Sequence, residues 1–127
     1  MDDWIPFVEG EYLAEQAFIL APNNRAVALE DPVIEIYLDA QGKKQLKGRG
    51  RIRNILMVEL LEDDDRLDLI LDLGQEFKYR LMAPVLQGGK VFAPDVKSML
   101  NFAPVKPWED IVAADFEAFL SQIQFLE

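Results

Sequence analysis

From residue 33 onward, hydrophobic and polar positions fall into alternating runs. Ile34, Ile36 and Leu38 share one parity, with Glu35, Tyr37 and Asp39 on the other. This is the two-residue period of a half-buried strand over residues 33–39. A turn at Gln41-Gly42 leads into residues 45–53, where Lys47, Arg49, Arg51 and Arg53 alternate with Leu46, Gly48, Gly50 and Ile52. Pairing Asp39 with Gln45 makes the apolar faces coincide and sets Tyr37 opposite Lys47 and Glu35 opposite Arg49, so this register is expected. The parity continues through Leu56, Val58 and Leu60. It predicts one long strand over 45–60, curved at Gly48 and Gly50, or two strands broken near Asn54. Residues 61–66 read as an acidic hairpin loop. Leu67, Leu69, Leu71 and Leu73 then alternate with Asp68, Ile70 and Asp72, and a turn at Gly74-Gln75-Glu76 leads to Phe77, Tyr79 and Leu81. Setting Leu73 against Phe77 places Asp72 beside Lys78 and Leu71 beside Tyr79.

Nearer the N-terminus, residues 4–8 read as a short strand. Residues 11–20 favour a strand over a helix, because Pro22-Asn23-Asn24 then turns the chain into a further strand over 26–29. Pro84, Pro94, Pro104 and Pro107 interrupt residues 84–107, leaving room for one short helix over 95–101 behind Pro94. At Trp108 the period changes. Trp108, Ile111, Val112, Phe116, Phe119, Leu120 and Ile123 follow the spacing of an amphipathic helix. Pro107 suits its first position, and Glu109 and Asp110 suit the positive end of its dipole. Ile55, Met57 and Ile70 face outward on their strands, and the apolar stripe of this helix is their expected cover. No linker divides the chain. The pattern therefore predicts a single domain over residues 1–127 of the α+β class: a mainly antiparallel β meander of about seven strands forming a roll or partly open barrel, with the C-terminal amphipathic helix packed on it.

Composition narrows the chemistry. The chain has no Cys and no His, which removes thiolate nucleophiles, imidazole bases and the metal sites built on either. Carboxylate chemistry would remain, but among 23 acidic residues nothing singles out one pair. A non-enzymatic role without a cofactor is expected. The first residues, Met1-Asp2-Asp3-Trp4, lack the basic start of a secretion signal. The longest aliphatic run, Ile55-Leu56-Met57-Val58, is far short of the roughly 20 residues of a membrane span. A cytoplasmic protein without a transmembrane segment is the expectation. With 13 basic residues the net charge is −10, which disfavours nucleic acid as a partner.

The charges are also segregated. Lys43, Lys44, Lys47, Arg49, Arg51 and Arg53 fall within eleven residues that contain no acid, whereas residues 54–76 carry eight acids against Arg66. Lys47, Arg49, Arg51 and Arg53 project from one strand face, a pattern suited to a multivalent anion or an acidic partner. The competing interpretation is an outer strand kept soluble by charge and paired with Glu35 and Asp39. Gly48-Arg49-Gly50-Arg51 contains the arginine-glycine core of an AT-hook but lacks its flanking prolines. The acidic run 62–65 lacks the alternation and glycine of a calcium loop, and Gly88-Gly89-Lys90 lacks the remaining residues of a phosphate loop. The function expected is a binding or adaptor domain that engages a protein partner through this charge-segregated surface. The alternative is a binder of a small molecule or anionic headgroup, using residues 43–53 or a cavity in the roll.

Overall fold

The computed structural model describes residues 4–63, 66–88 and 97–126. Among them are eleven strands and two short helices, forming two sheets that are antiparallel apart from one edge pairing. The fold is therefore α+β and mainly antiparallel, as expected, but it is not a closed roll or barrel and exceeds the seven strands predicted. The five-stranded sheet has the order β1 (Gly10–Leu13), β4 (Glu30–Leu38), β5 (Lys44–Arg53), β9 (Lys97–Ala103) and β8 (Val85–Gln87). The six-stranded sheet runs β10 (Glu109–Asp110), β7 (Lys78–Leu81), β6 (Asp68–Asp72), β2 (Gln16–Leu20), β3 (Arg25–Ala28) and β11 (Gln124–Phe125). The inward parities of both sheets meet in one buried cluster that includes Ile34, Ile36, Leu46, Leu100 and Phe102 from the first and Ile19, Val27, Leu69, Leu71 and Leu81 from the second.

The hairpin of β6 and β7 has the predicted register, Asp72 opposite Lys78 and Leu71 opposite Tyr79. The hairpin of β4 and β5 keeps the predicted parity but is displaced by two residues: Gln45 faces Tyr37, Lys47 faces Glu35 and Arg49 faces Val33. The turn explains the shift. The Asp39 side chain accepts hydrogen bonds from the Gln41 and Lys43 backbone N–H groups, both at 2.9 Å, while the Asp39 N–H donates to the Lys43 carbonyl at 2.9 Å. Gly42, at φ 77°, supplies the left-handed step. Asp39 thus closes on Lys43 rather than on Gln45.

Four other expectations are corrected. Asn54–Asp63 is a helix, α1, because Leu, Met and Glu favour helix over strand and Ile55, Leu56 and Met57 all pack on the main core, which no two-residue period allows. The helix expected over 95–101 is strand β9 across the described residues 97–101. Leu100 and Phe102 are buried within it while Asn101 is exposed, and residues 95 and 96 lie outside the described residues. Residues 4–8 form no strand, although Trp4, Ile5 and Phe7 pack on the core. Residues 11–20 are strand rather than helix, as expected, but not one strand: they divide between the two sheets at Ala14-Glu15, whose N–H groups donate to the Pro32 and Asp72 carbonyls respectively.

The C-terminal helix is shorter than its stripe predicts. It spans Ala113–Ser121, α2. Trp108 is drawn into the core instead, stacked on Tyr79 at 3.9 Å, and Glu109 and Asp110 pair with β7 as strand β10. The rest of the stripe meets its expected role in part. Phe116, with Ile111, Phe119, Leu120 and Ile123, covers Ile70 together with Phe18, Leu20 and Ala26 on the outer face of the six-stranded sheet, whereas Ile55 and Met57 lie in α1 against the main core and Val112 is exposed. Beyond α2 the chain adds β11 in parallel to β3. The C-terminal stretch therefore supplies both outermost strands of that sheet and the helix across its face. Among the described residues no helix is long and apolar enough to cross a membrane.

Candidate functional site

Nothing covers the outer face of the five-stranded sheet among the described residues. Its middle strand, β5, turns Leu46, Gly48, Gly50 and Ile52 inward. The two glycines are required by space: a Cβ on Gly48 would stand 2.1 Å from the Phe102 ring, and one on Gly50 would stand 2.9 Å from the Leu29 Cβ. With the core filled in this way, Lys47, Arg49, Arg51 and Arg53 are all directed outward, as predicted. They form a column down the centre of the sheet and not along an edge.

The column is asymmetric. On the β1 and β4 side it meets carboxylates: Lys47 lies 3.8 Å from Glu35, Arg49 lies 3.6 Å from Glu11, and Arg51 lies 2.6 Å from Asp31. Asp31 reaches Arg51 because the register slips between Glu30 and Val33 and Asp31 takes a left-handed φ of 51°, a bulge that re-aims a side chain. Arg53 is engaged as well. Glu30 pairs with Lys97 of β9 at 2.6 Å. The acids differ from those predicted: Glu35 holds Lys47 rather than Arg49, and Asp39 is spent on its own turn. All these pairs are solvent-exposed, and such pairs are worth about 0–1 kcal/mol each.

The β9 and β8 side differs. Met99, Asn101 and Ala103 of β9 and Val85 and Gln87 of β8 present neutral side chains there. Between β5 and β8 lies a groove of about 340 Å³ whose lining includes Tyr37, Lys47, Val85, Gln87, Asn101 and Ala103. The Lys47 ammonium sits 5.1 Å from the Tyr37 ring centroid, within cation–π range. Leu13, Val85 and Met99, which are 80%, 48% and 46% exposed, all belong to this face of the sheet.

The acidic half of the predicted charge segregation is weaker than counting suggests. Asp68 and Asp72 are buried on the face of β6 that also carries Ile70 beneath α2. Each buried carboxylate then needs partners. Asp72 accepts from Lys78 at 3.2 Å, from Gln16 at 3.3 Å and from the Gly74 N–H at 2.9 Å. Asp68 accepts from Arg80 Nε at 2.9 Å and Nη2 at 2.6 Å, from the Ala83 N–H at 2.9 Å and from Arg66 Nε at 3.4 Å. Burial alone would raise the Asp68 carboxyl. The hydrogen bonds from Ala83 and Arg80 and the charges of Arg80 and Arg66 outweigh it and hold the group below the ordinary carboxylate range. A crevice of about 260 Å³ opens beside Arg66, Asp68 and Arg80, but Asp68 engages both guanidinium groups there. This lock escaped the sequence reading, although the correctly read β6–β7 register already set Asp68 diagonal to Arg80. Of the acidic run 62–65, residues 64 and 65 lie outside the described residues.

No family model, curated protein or solved structure matches the chain.

Proposed function

We propose that the chain is a non-enzymatic binding domain that holds an acidic segment of a protein partner on the outer face of its five-stranded sheet. The observation that carries this reading is the contrast in cover: the six-stranded sheet has α2 on its outer face, while the five-stranded sheet presents an open column of Lys47, Arg49, Arg51 and Arg53 beside exposed Val85 and Met99. The carboxylates on one flank do not forbid it. Exposed ion pairs exchange partners at little cost, and on the opposite flank the described residues of β8 and β9 carry no acid, although Glu30 of β4 reaches Lys97 there. A chain of net charge −10 with a local positive column also orients an acidic partner as it approaches.

The test compares the immobilised wild-type chain with R49E/R51E/R53E in lysate of the native host, at low and moderate salt. A protein retained by the wild type, released by salt and lost from the triple variant supports the reading. Equal retention by the two overturns it. Far-UV circular dichroism establishes that the variant is folded.

A further inference from the structure

The groove beside the column says more about the partner than its charge. Resting on the reading just proposed, we infer that the groove between β5 and β8 takes an aliphatic side chain flanked by acidic residues in an extended segment of the partner. Three features point to this occupant. First, size: at about 340 Å³ the groove is near the lower end of ligand pockets, roughly 300–1,000 Å³, and accommodates a side chain rather than a helix. Second, polarity: Ala103 is small, half-exposed Val85 and the Tyr37 ring are apolar, and among the described residues Lys47 is the one charged group and no carboxylate lines the groove. An aliphatic side chain with a neighbouring carboxylate complements that set. Third, the amides of Asn101 and Gln87 each carry donors and an acceptor, which suits the unpaired N–H and C=O groups of an extended backbone.

Lys47 is free to change partners. Its contact with Glu35 is long, at 3.8 Å, and its side chain is 57% exposed. Arg49 stands one strand repeat further along, about 6.6–6.8 Å away by strand geometry, the same step that separates alternate residues of an extended peptide. The acids on either side of the aliphatic residue share one face of an extended segment and match Lys47 and Arg49 in spacing as well as sign, with the aliphatic side chain turned the other way, toward the groove.

The experiment is an NMR titration of the ¹⁵N-labelled chain with three Gly-Ser peptides carrying Glu-Leu-Glu, Glu-Ser-Glu or Ser-Leu-Ser at their centre. The expected result is that Glu-Leu-Glu binds about tenfold tighter than either control and shifts the side-chain amide signals of Asn101 and Gln87. A103W, which fills the groove, reduces Glu-Leu-Glu to the affinity of Glu-Ser-Glu, and K47E weakens both acidic peptides; the spectra themselves report that each variant is folded. Equal affinity of the wild type for Glu-Leu-Glu and Glu-Ser-Glu, or no effect of A103W, overturns the groove inference while the basic column stands. Failure of both acidic peptides to bind at low salt overturns the column and the groove together.

Discussion

Arg80 meets Asp68 at 2.6 Å, and Arg51 meets Asp31 at the same 2.6 Å. The first pair lies on the covered face of the six-stranded sheet, with an Asp68 side chain only 4% exposed; the second lies on the open face of the five-stranded sheet, with an Asp31 side chain 74% exposed. Distance is therefore no measure of what either contact contributes. The Asp68 carboxylate is almost wholly withdrawn from water, so a partner lost there is poorly replaced and its hydrogen bonds are made by the protein. Asp31 trades one set of favourable contacts for another whenever its side chain swings into solvent. One sheet uses charge to close its structure, and the other keeps its ion pairs in water.

The largest test removes the cover that makes the two faces different. Phe116→Ala takes the buried anchor out of α2, and urea denaturation should register a loss of about 3–5 kcal/mol. A loss below about 1 kcal/mol would mean that α2 contributes little to the covered face. Next comes Asp68→Ala, expected to cost about 3 kcal/mol, the low end for breaking a buried pair because Arg80 keeps part of its surface in water. The pH dependence has a definite sign. Asp68 lies below its ordinary value of 3.8 in the folded chain, so its contribution is complete above that value and is lost as pH falls through the folded one. The stability gap between the wild type and Asp68→Asn should be constant near neutrality and narrow only in acid below about pH 3.9. A gap that narrows between pH 7 and 5 would refute this assignment.

On the open sheet the sensitive position is apolar. Gly48→Ala forces a Cβ into the Phe102 ring and should cost about 1–3 kcal/mol, visible as a lower urea midpoint. The smallest effect belongs to Asp31→Ala. It should change stability by less than about 1 kcal/mol and respond to added salt, despite removing a 2.6 Å contact. If Asp31→Ala proved as costly as Asp68→Ala, the contrast between the two faces would collapse.

What could be read from the sequence followed from how local the determining contacts are. The β6–β7 hairpin was legible because its turn is short and its cross-strand pairs are near in sequence. The β4–β5 pair was legible in parity but not in register, since the Asp39 side chain captures Gln41 and Lys43 within the turn. Asn54–Asp63 misled because Leu56, Val58 and Leu60 satisfy a strand's period while the Leu, Met and Glu residues of the segment favour a helix. The outward column of Lys47, Arg49, Arg51 and Arg53 was readable residue by residue. Its flanks were not: Glu11 and Asp31 arrive from other strands, and the groove depends on β8 and β9, in a stretch whose prolines suggested irregular structure. Long-range pairing decides such neighbours, and periodicity carries no record of it.

The placement of β10, α2 and β11 also bears on how the chain is made. A ribosome delivers β2, β3, β6 and β7 well before residues 109–126, so the nascent chain holds four strands whose sheet has both flanks unpaired and Phe18, Leu20 and Ile70 bare. Open flanks of this kind recruit other chains, and partly made proteins are most vulnerable while such surface is exposed. Completion of this sheet waits on β11, which pairs its outer strand β3. Translation halted before residue 109 should yield aggregate rather than a shortened but soluble protein.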